Sequence, residues 1–527
     1  MKSLSNHLQN IGFIKNKKIK EKTSVNRSSG IFPFFISKKI DTEILFLGYW
    51  YLKRKIRELK FIYILRSKDG NILKKKIANI KITKAYKISI KKELMSLNVS
   101  RELNTGSFEF EIISNENLVF TYPAVIMNYV TKNSSSFTHT CGRIFNNIKD
   151  QKSVMKTKTP ETGFDILPNK EYRPFFSFVN GPKKIKKHKL KLNIISDDKL
   201  NFRKNITIEN LKPYETKFIF FLDENEKNKL KKKSTVTIAH QYKNFYPRFF
   251  SGNFHKDHTC VMLTHSYYDL SKLKNNEQYS INQNKSLYFD SYKGIPLFLQ
   301  KNYKTELCVY PNSFLKSQLL FSMNIYNNKG QLIENLKNIV KISKNFVAPV
   351  YFDLNKIVRN RIKKKLKLTR CHCRVFFSSN HVPSRLTWGL NIVNSNKKNN
   401  ITLPTNISFT PIPYNLIDKK GIFRWCPLLN KKDSQFIISN ISNIKKGYKK
   451  SNIVLNFWRE QDDKSLEKKI KIADNGFYWF FLNKQKKIKN FLKGKSGWVT
   501  IRSDNQYVDG FYFEDYNNGA IGGDHFF

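Results

Sequence analysis

One hairpin pattern, met four times, constrains this chain more than any other feature. "FIYILRSKDGNIL" begins at Phe61 and "FSMNIYNNKGQLI" at Phe321, each an alternating strand closed by a polar turn on Gly70 or Gly330. "LKLNIISDDKLNF" from Leu190 and "SNIVLNFWREQDDKSL" from Ser451 fill the intervening and following places. The copies recur roughly every 130 residues, a spacing that marks internal repetition of a whole structural unit.

Each copy continues alike. A short alternating stretch comes next: "IKIT" at Ile80, "ITIE" at Ile206, "VKIS" at Val340 and "IKIA" at Ile470. A second strand follows, "YKISI", "KFIFFL", "APVYFDL" or "FYWFFL", and then a basic connection. The clearest connection is "LNKIVRNRIKKKL", whose Leu354, Ile357, Val358, Ile362 and Leu366 fall on one helical face. Two more strands close the unit. Strands of 4–8 residues with period-two alternation and turn residues between them specify antiparallel sandwiches, and no βαβ rhythm competes. The predicted fold is all-β: a tandem array of four antiparallel β-sandwich units, immunoglobulin-like or cupredoxin-like in architecture, with short basic connecting helices or loops. The units are placed at 41–150, 165–270, 285–395 and 405–527, behind a basic, flexible tail at 1–40. Polar linkers at 146–164, 269–286 and 394–406 join them like beads.

Lys and Arg number 96 against 40 Asp and Glu, a net charge of +56. Such charge attracts polyanions. Lysine far outnumbers arginine, however, and dedicated nucleic-acid surfaces favour arginine, so compositional drift toward Lys, Asn, Ile and Phe explains much of the excess. The first thirty residues lack the apolar core of a secretory signal, and no apolar run reaches membrane-spanning length. With six cysteines in 527 residues, a reduced, cytoplasmic setting is expected.

Chemistry concentrates in "SGNFHKDHTCVMLTHSYYDLS" (251–271), with three of the ten histidines. His255, His258, Cys260 and His265 are a candidate metal set, since zinc takes His and Cys at converging positions. Strand alternation separates His255 from His258 unless "HKDH" turns. "HTC" recurs at His139-Thr140-Cys141, and "DH" at Asp524-His525, so His258 reads as a structural position of each unit's exit segment. What the other copies lack, His255, His265, Tyr267, Tyr268 and Asp269, together with Arg248, forms the candidate binding set. "CHCR" at 371–374 reads as two core cysteines on one strand face. No nucleophile elbow, HExxH, EF-hand loop or Gly-rich phosphate loop is present.

Three basic connections occupy one slot of the repeat. They give a candidate polyanion stripe at Lys231, Lys232, Lys233, Lys363, Lys364, Lys365, Lys486 and Lys487, against the alternative of sheet-edge protection. The leading expectation is a non-enzymatic binding or scaffold protein whose ligand is a polysaccharide or another acidic polymer, or a protein partner. The alternatives are a non-specific polyanion or nucleic-acid binder using the Lys stripe, and a metal-dependent enzyme centred on His255–His265. No cofactor is implied beyond that metal.

Overall fold

The computed structural model describes residues 24–95, 102–118, 124–139, 161–230, 233–240, 242, 248–268, 279–280, 291–311, 318–344, 346–362, 370–378, 381–382, 388–395, 403–409, 412–413, 421–441, 450–505, 507–517 and 519–527. They form four β-sandwiches of one topology. In unit 1 the eight strands run Arg27–Ile36, Ile40–Leu47, Leu59–Ser67, Ile72–Ile80, Ala85–Ser89, Asn104–Ile113, Val125–Thr131 and Ser135–Thr138. Strands one, six, three and four make one sheet, and five, two, seven and eight the other. Units 2, 3 and 4 repeat this order, and every pairing is antiparallel.

The recurring hairpin is strands three and four. Its first arm alternates as the sequence requires: Leu59, Phe61, Tyr63 and Leu65 point inward in unit 1, and Ser451, Ile453, Leu455 and Phe457 in unit 4. Each large apolar side chain so buried contributes about 1.5–3 kcal/mol. The fourth strand is an edge in all four units and carries lysines, as in "ILKKKIANI" with its exposed Ile72 and Ile77. The slot between strands five and six holds a short helix in every unit: Ile90–Glu93, Glu224–Leu230, Leu354–Arg361 and Lys486–Leu492. Leu354 and Val358 of the expected helical face are buried, Ile362 caps the helix, and Leu366 lies outside the described residues.

Three boundaries move. Arg27–Ile36 is not a tail but the first strand of unit 1, paired along its length with Asn104–Ile113. Pro33 sits within it because the strand is a sheet edge, where a missing N–H costs no ladder bond. Glu161–Ile166 is the first strand of unit 2, so the 146–164 linker is shorter than its composition suggests. Ile407–Phe409 and Ile412–Pro413 pair with unit 3, and unit 4 begins its strands at Ile422–Leu428.

The beads picture is also corrected. The units close into a ring, each packed on the next and the fourth on the first. At the 1–2 seam Phe35 packs on Phe175, Phe218 and Phe254, and at the 3–4 seam Phe298 packs on Trp479 and Phe513. At the 2–3 seam Tyr351 and Asn391 donate to the buried Asp165, and Lys233 pairs with Glu306. At the 4–1 seam Tyr49 stacks on Trp425, Lys431 pairs with Glu43 at 2.8 Å, and Lys87 with Glu460 at 3.3 Å.

The seams obey a pseudo-two-fold rule. Gly70 and Gly330 both take left-handed φ, +86° and +80°, and present no Cβ to the next unit. A Cβ there would lie 2.1 Å from the Pro213 carbonyl oxygen or 1.7 Å from that of Asp474. Two residues before each glycine, the carbonyls of Lys68 and Asn328 accept from the N–H groups of Thr216 and Phe477, which open the fifth strands of units 2 and 4. Glu43 and Glu306, each following a threonine that bonds the first strand's backbone, take lysines from the unit behind. The chain is therefore a two-unit module repeated twice.

Candidate functional site

The eighth strands of the four units meet at the ring's centre. Those of units 1 and 2, Ser135–Thr138 and Val261–His265, are bridged by hydroxyls. Ser134 Oγ accepts from Val261 N–H and donates to its carbonyl, both at 3.1 Å, and Ser136 does the same to Leu263 at 2.9 and 3.1 Å. Ile521–His525 of unit 4 lies so close to unit 1 that a Cβ on Gly522 would meet the Ser135 carbonyl oxygen at 1.7 Å. Thr264 donates to Ser408 of unit 3 at 3.2 Å.

Three of these strands end on, or are followed by, a histidine: His139, His265 and His525. His139 Nδ1 is 2.7 Å from Asp524 Oδ2. The His139 ring meets those of His265 and His525 edge to face, at centroid distances of 4.8 and 4.7 Å. His265 Nδ1–H donates to the Ser266 carbonyl at 3.2 Å and His525 Nδ1–H to that of Phe526 at 2.9 Å. Burial, with His139 and Arg248 beside it, holds His265 well below the usual imidazole range. Burial pushes Asp524 up, but the facing His139 and His525 outweigh it, and its carboxyl ends below the usual range.

This junction breaks up the set His255, His258, Cys260 and His265. His255 and Cys260 flank the turn between the seventh and eighth strands of unit 2, and His265 closes the far end of that hairpin, opposite Phe250. Five residues of strand separate Cys260 from His265, about 16 Å. "HKDH" does turn: His258 N–H donates to the His255 carbonyl at 2.8 Å, with His258 at φ +60°. His255 is held by Asp257 and Glu171. Cys260 is buried among Tyr172, Met262, Leu403 and Ala520, and burial raises its thiol to about 12, far from a thiolate ligand.

The "HTC" match is thus a register error. His258 precedes the eighth strand of its unit, whereas His139 follows the eighth strand of its own. The signal that marks the junction is "FTH", "LTH" and "GDH" at 137–139, 263–265 and 523–525. Of the other candidate binding residues, Arg248 is buried and donates to the Ser266 carbonyl beside His265. Tyr267–Tyr268 is a short strand on Glu161–Ile166, and Asp269 lies outside the described residues. Cys371 and Cys373 are in the core of unit 3, and His372 faces unit 4, 3.3 Å from the Asn475 carbonyl oxygen.

Three of the eight lysines of the expected stripe fall within the described residues. Lys233 is spent in its ion pair with Glu306 across the 2–3 seam and does not offer a free charge to a polyanion. Lys231, Lys232, Lys363, Lys364 and Lys365 lie outside the described residues. Lys486 and Lys487 are exposed on the unit 4 helix. Beside that helix a cleft of 540 Å³, within the size range of small-ligand sites, is lined by Lys431, Lys432, Lys489, Lys493, Asn430, Asn483, Asn490 and Gly494. None of these lining residues is acidic. Lys431 reaches Glu43 of unit 1, so the cleft borders the 4–1 seam. Lys489 Nζ donates to Asn483 Oδ1 at 3.3 Å, and Lys432 and Lys493 are exposed. The buried Glu514, outside the lining, fixes the backbone that carries two of these lysines, accepting from the N–H groups of Lys431 and Lys432 at 3.2 and 2.5 Å and from the Ser434 hydroxyl. Lys489 and Lys493 belong to the basic connection at 483–495 that also carries Lys486 and Lys487, whereas Lys431 and Lys432 come from a loop about 60 residues earlier that no basic run marks in the sequence.

No protein-family model matches the chain, and none of the curated proteins is similar to it. Among solved structures it is similar to a β-glucuronidase from Bacteroides uniformis, at 10% identity over 47% of this chain and 27% of that one, with a TM-score of 0.12. A glycosyl hydrolase family 2 member from Bacteroides cellulosilyticus matches at 8% identity over 47% and 28%, with a TM-score of 0.11. A tetra-tandem repeat in the extending region of a large adhesion protein matches at 6% identity over 88% and 90%, with a TM-score of 0.09. The chain spans about a quarter of the length of the two hydrolases. Among the described residues, no helix is long and apolar enough to cross a membrane.

Proposed function

We propose that this protein is a non-enzymatic binding scaffold whose ligand is an acidic polysaccharide or a comparable acidic polymer, held in the unit 4 cleft. The observation that carries this reading is the lining: four lysines and three asparagines with no acid among them. Lysine supplies a point charge for a carboxylate or sulfate, and asparagine offers both a donor and an acceptor to hydroxyls. Lys431 is positioned by Glu43, which leaves Lys432, Lys489 and Lys493 as the exposed charges that meet the ligand.

The test is a titration of the full chain with a uronate-bearing or sulfated polysaccharide at several salt concentrations. Exposed charge contacts are worth up to about 1 kcal/mol each, so K432A/K493A is expected to weaken binding by about tenfold and to flatten the salt dependence. K486A/K487A, outside the cleft, is the charge-matched control. Equal losses from both double variants would show that net charge alone is at work and would sink the cleft reading.

A further inference from the structure

We propose that the ring's centre holds a divalent transition-metal ion of the zinc class, bound by His139 of unit 1 with Asp524 and His525 of unit 4. The candidate donor atoms of these three residues lie within 4.8 Å of one another. A tetrahedral ion with bonds of about 2.0–2.1 Å sets its donors about 3.3 Å apart. The two imidazoles address the two oxygens of one carboxylate: His139 Nδ1 lies 2.7 Å from Asp524 Oδ2, and His525 Nε2 lies 3.9 Å from Oδ1.

The surroundings are those of a ligating cluster. His525 donates its Nδ1–H to the Phe526 carbonyl, which leaves the Nε2 lone pair on the side of Asp524. Anchoring one ring nitrogen on a carbonyl is the usual outer support of a metal-bound histidine. His265, itself anchored on Ser266, packs edge to face on His139 and acts as a positioning residue. Asp524 is buried, whereas His139 and His525 are half-buried, which gives an ion a way in. An ion that takes His139 Nδ1 replaces the hydrogen between that nitrogen and Asp524, and the ring keeps its N–H on Nε2. The bound ion would tie unit 1 to unit 4 where the ring closes.

The experiment uses the full chain, without a histidine tag and stripped of metal, titrated with Zn²⁺ by calorimetry and with Co²⁺ by visible absorption. One ion per chain is expected. H139Q, D524N and H525Q should each weaken uptake by about tenfold or more, while H255Q and H258Q, on the surface turn of unit 2, leave it unchanged. Circular dichroism of each metal-free variant separates lost binding from lost folding. Absence of stoichiometric uptake by the wild-type chain, or uptake that D524N and H525Q do not alter, would overturn the proposal. So would loss on H255Q alone.

Discussion

At the scale of single residues, Glu514 makes the sharpest prediction. Burial raises its carboxyl to about 7, against the partial relief it gets from Ser434 and the backbone of Lys432 and Lys431. Its ordinary value is 4.5. Between those values the folded chain keeps a proton that the unfolded chain has lost. Its contribution to stability is therefore complete below about 4.5 and is lost as pH rises through 7. Urea unfolding of the wild type should weaken across that window by up to ~1.4 kcal/mol per pH unit from this group, and E514Q should flatten the slope. A slope unchanged in E514Q would assign it to another group. This residue was illegible in the sequence, because "FEDY" reads as a strand end and nothing local announces burial. The histidines teach the same lesson differently. His139, His265 and His525 were each visible, but the eye pairs "HTC" with "HTC". Only strand pairing shows that one of those histidines enters a strand and the other leaves one.

At the scale of elements, the recurring hairpin was legible because both its arms and its turn are contiguous, and Gly70 and Gly330 mark turns that need left-handed φ. The first strand of each unit was not. Its partner is the sixth strand, more than 60 residues on, and prolines at 33, 296 and 427 argue against a strand unless one knows that it lies at or beside an edge. The eighth strands add a device that alternation does not encode. Ser134 and Ser136 use single hydroxyls, each as donor and acceptor, to complete the buried edge backbone of Val261 and Leu263. S134A/S136A leaves two buried N–H groups and two carbonyls without these partners. It should cost about 2–4 kcal/mol in chemical denaturation, with the double S134T/S136T variant recovering part of it. A cost below about 0.5 kcal/mol would mean that the strands repack or admit water. Edge strands face the opposite demand at the ring's rim, where lysines on the fourth strands discourage pairing with another chain.

At the scale of the whole molecule, closure changes how stability is shared. One hydrophobic core runs without a break through residues of units 1, 2 and 4, from Phe32 through Phe254 to Phe526, and a second joins units 3 and 4. Four beads would melt in separate steps. The ring should melt in one, with calorimetric and van't Hoff enthalpies in agreement for the full chain. Resolved successive transitions in scanning calorimetry would contradict this coupling. Among the described residues, the charge that dominates the composition is divided by the same architecture into seam pairs such as Lys233–Glu306, edge lysines and a cleft. The central position of Ile521–His525 has a consequence in time as well as in space. Of the four strands that fill the middle, it is the last to leave the ribosome. Units 1 to 3 can form their own sheets during synthesis, but the Gly522 contact with Ser135 and the pairing of His139 with Asp524 and His525 wait for it. The nascent protein stays an open arc with its inner faces wet until that final strand arrives, and a chaperone that shields those faces would have its work there.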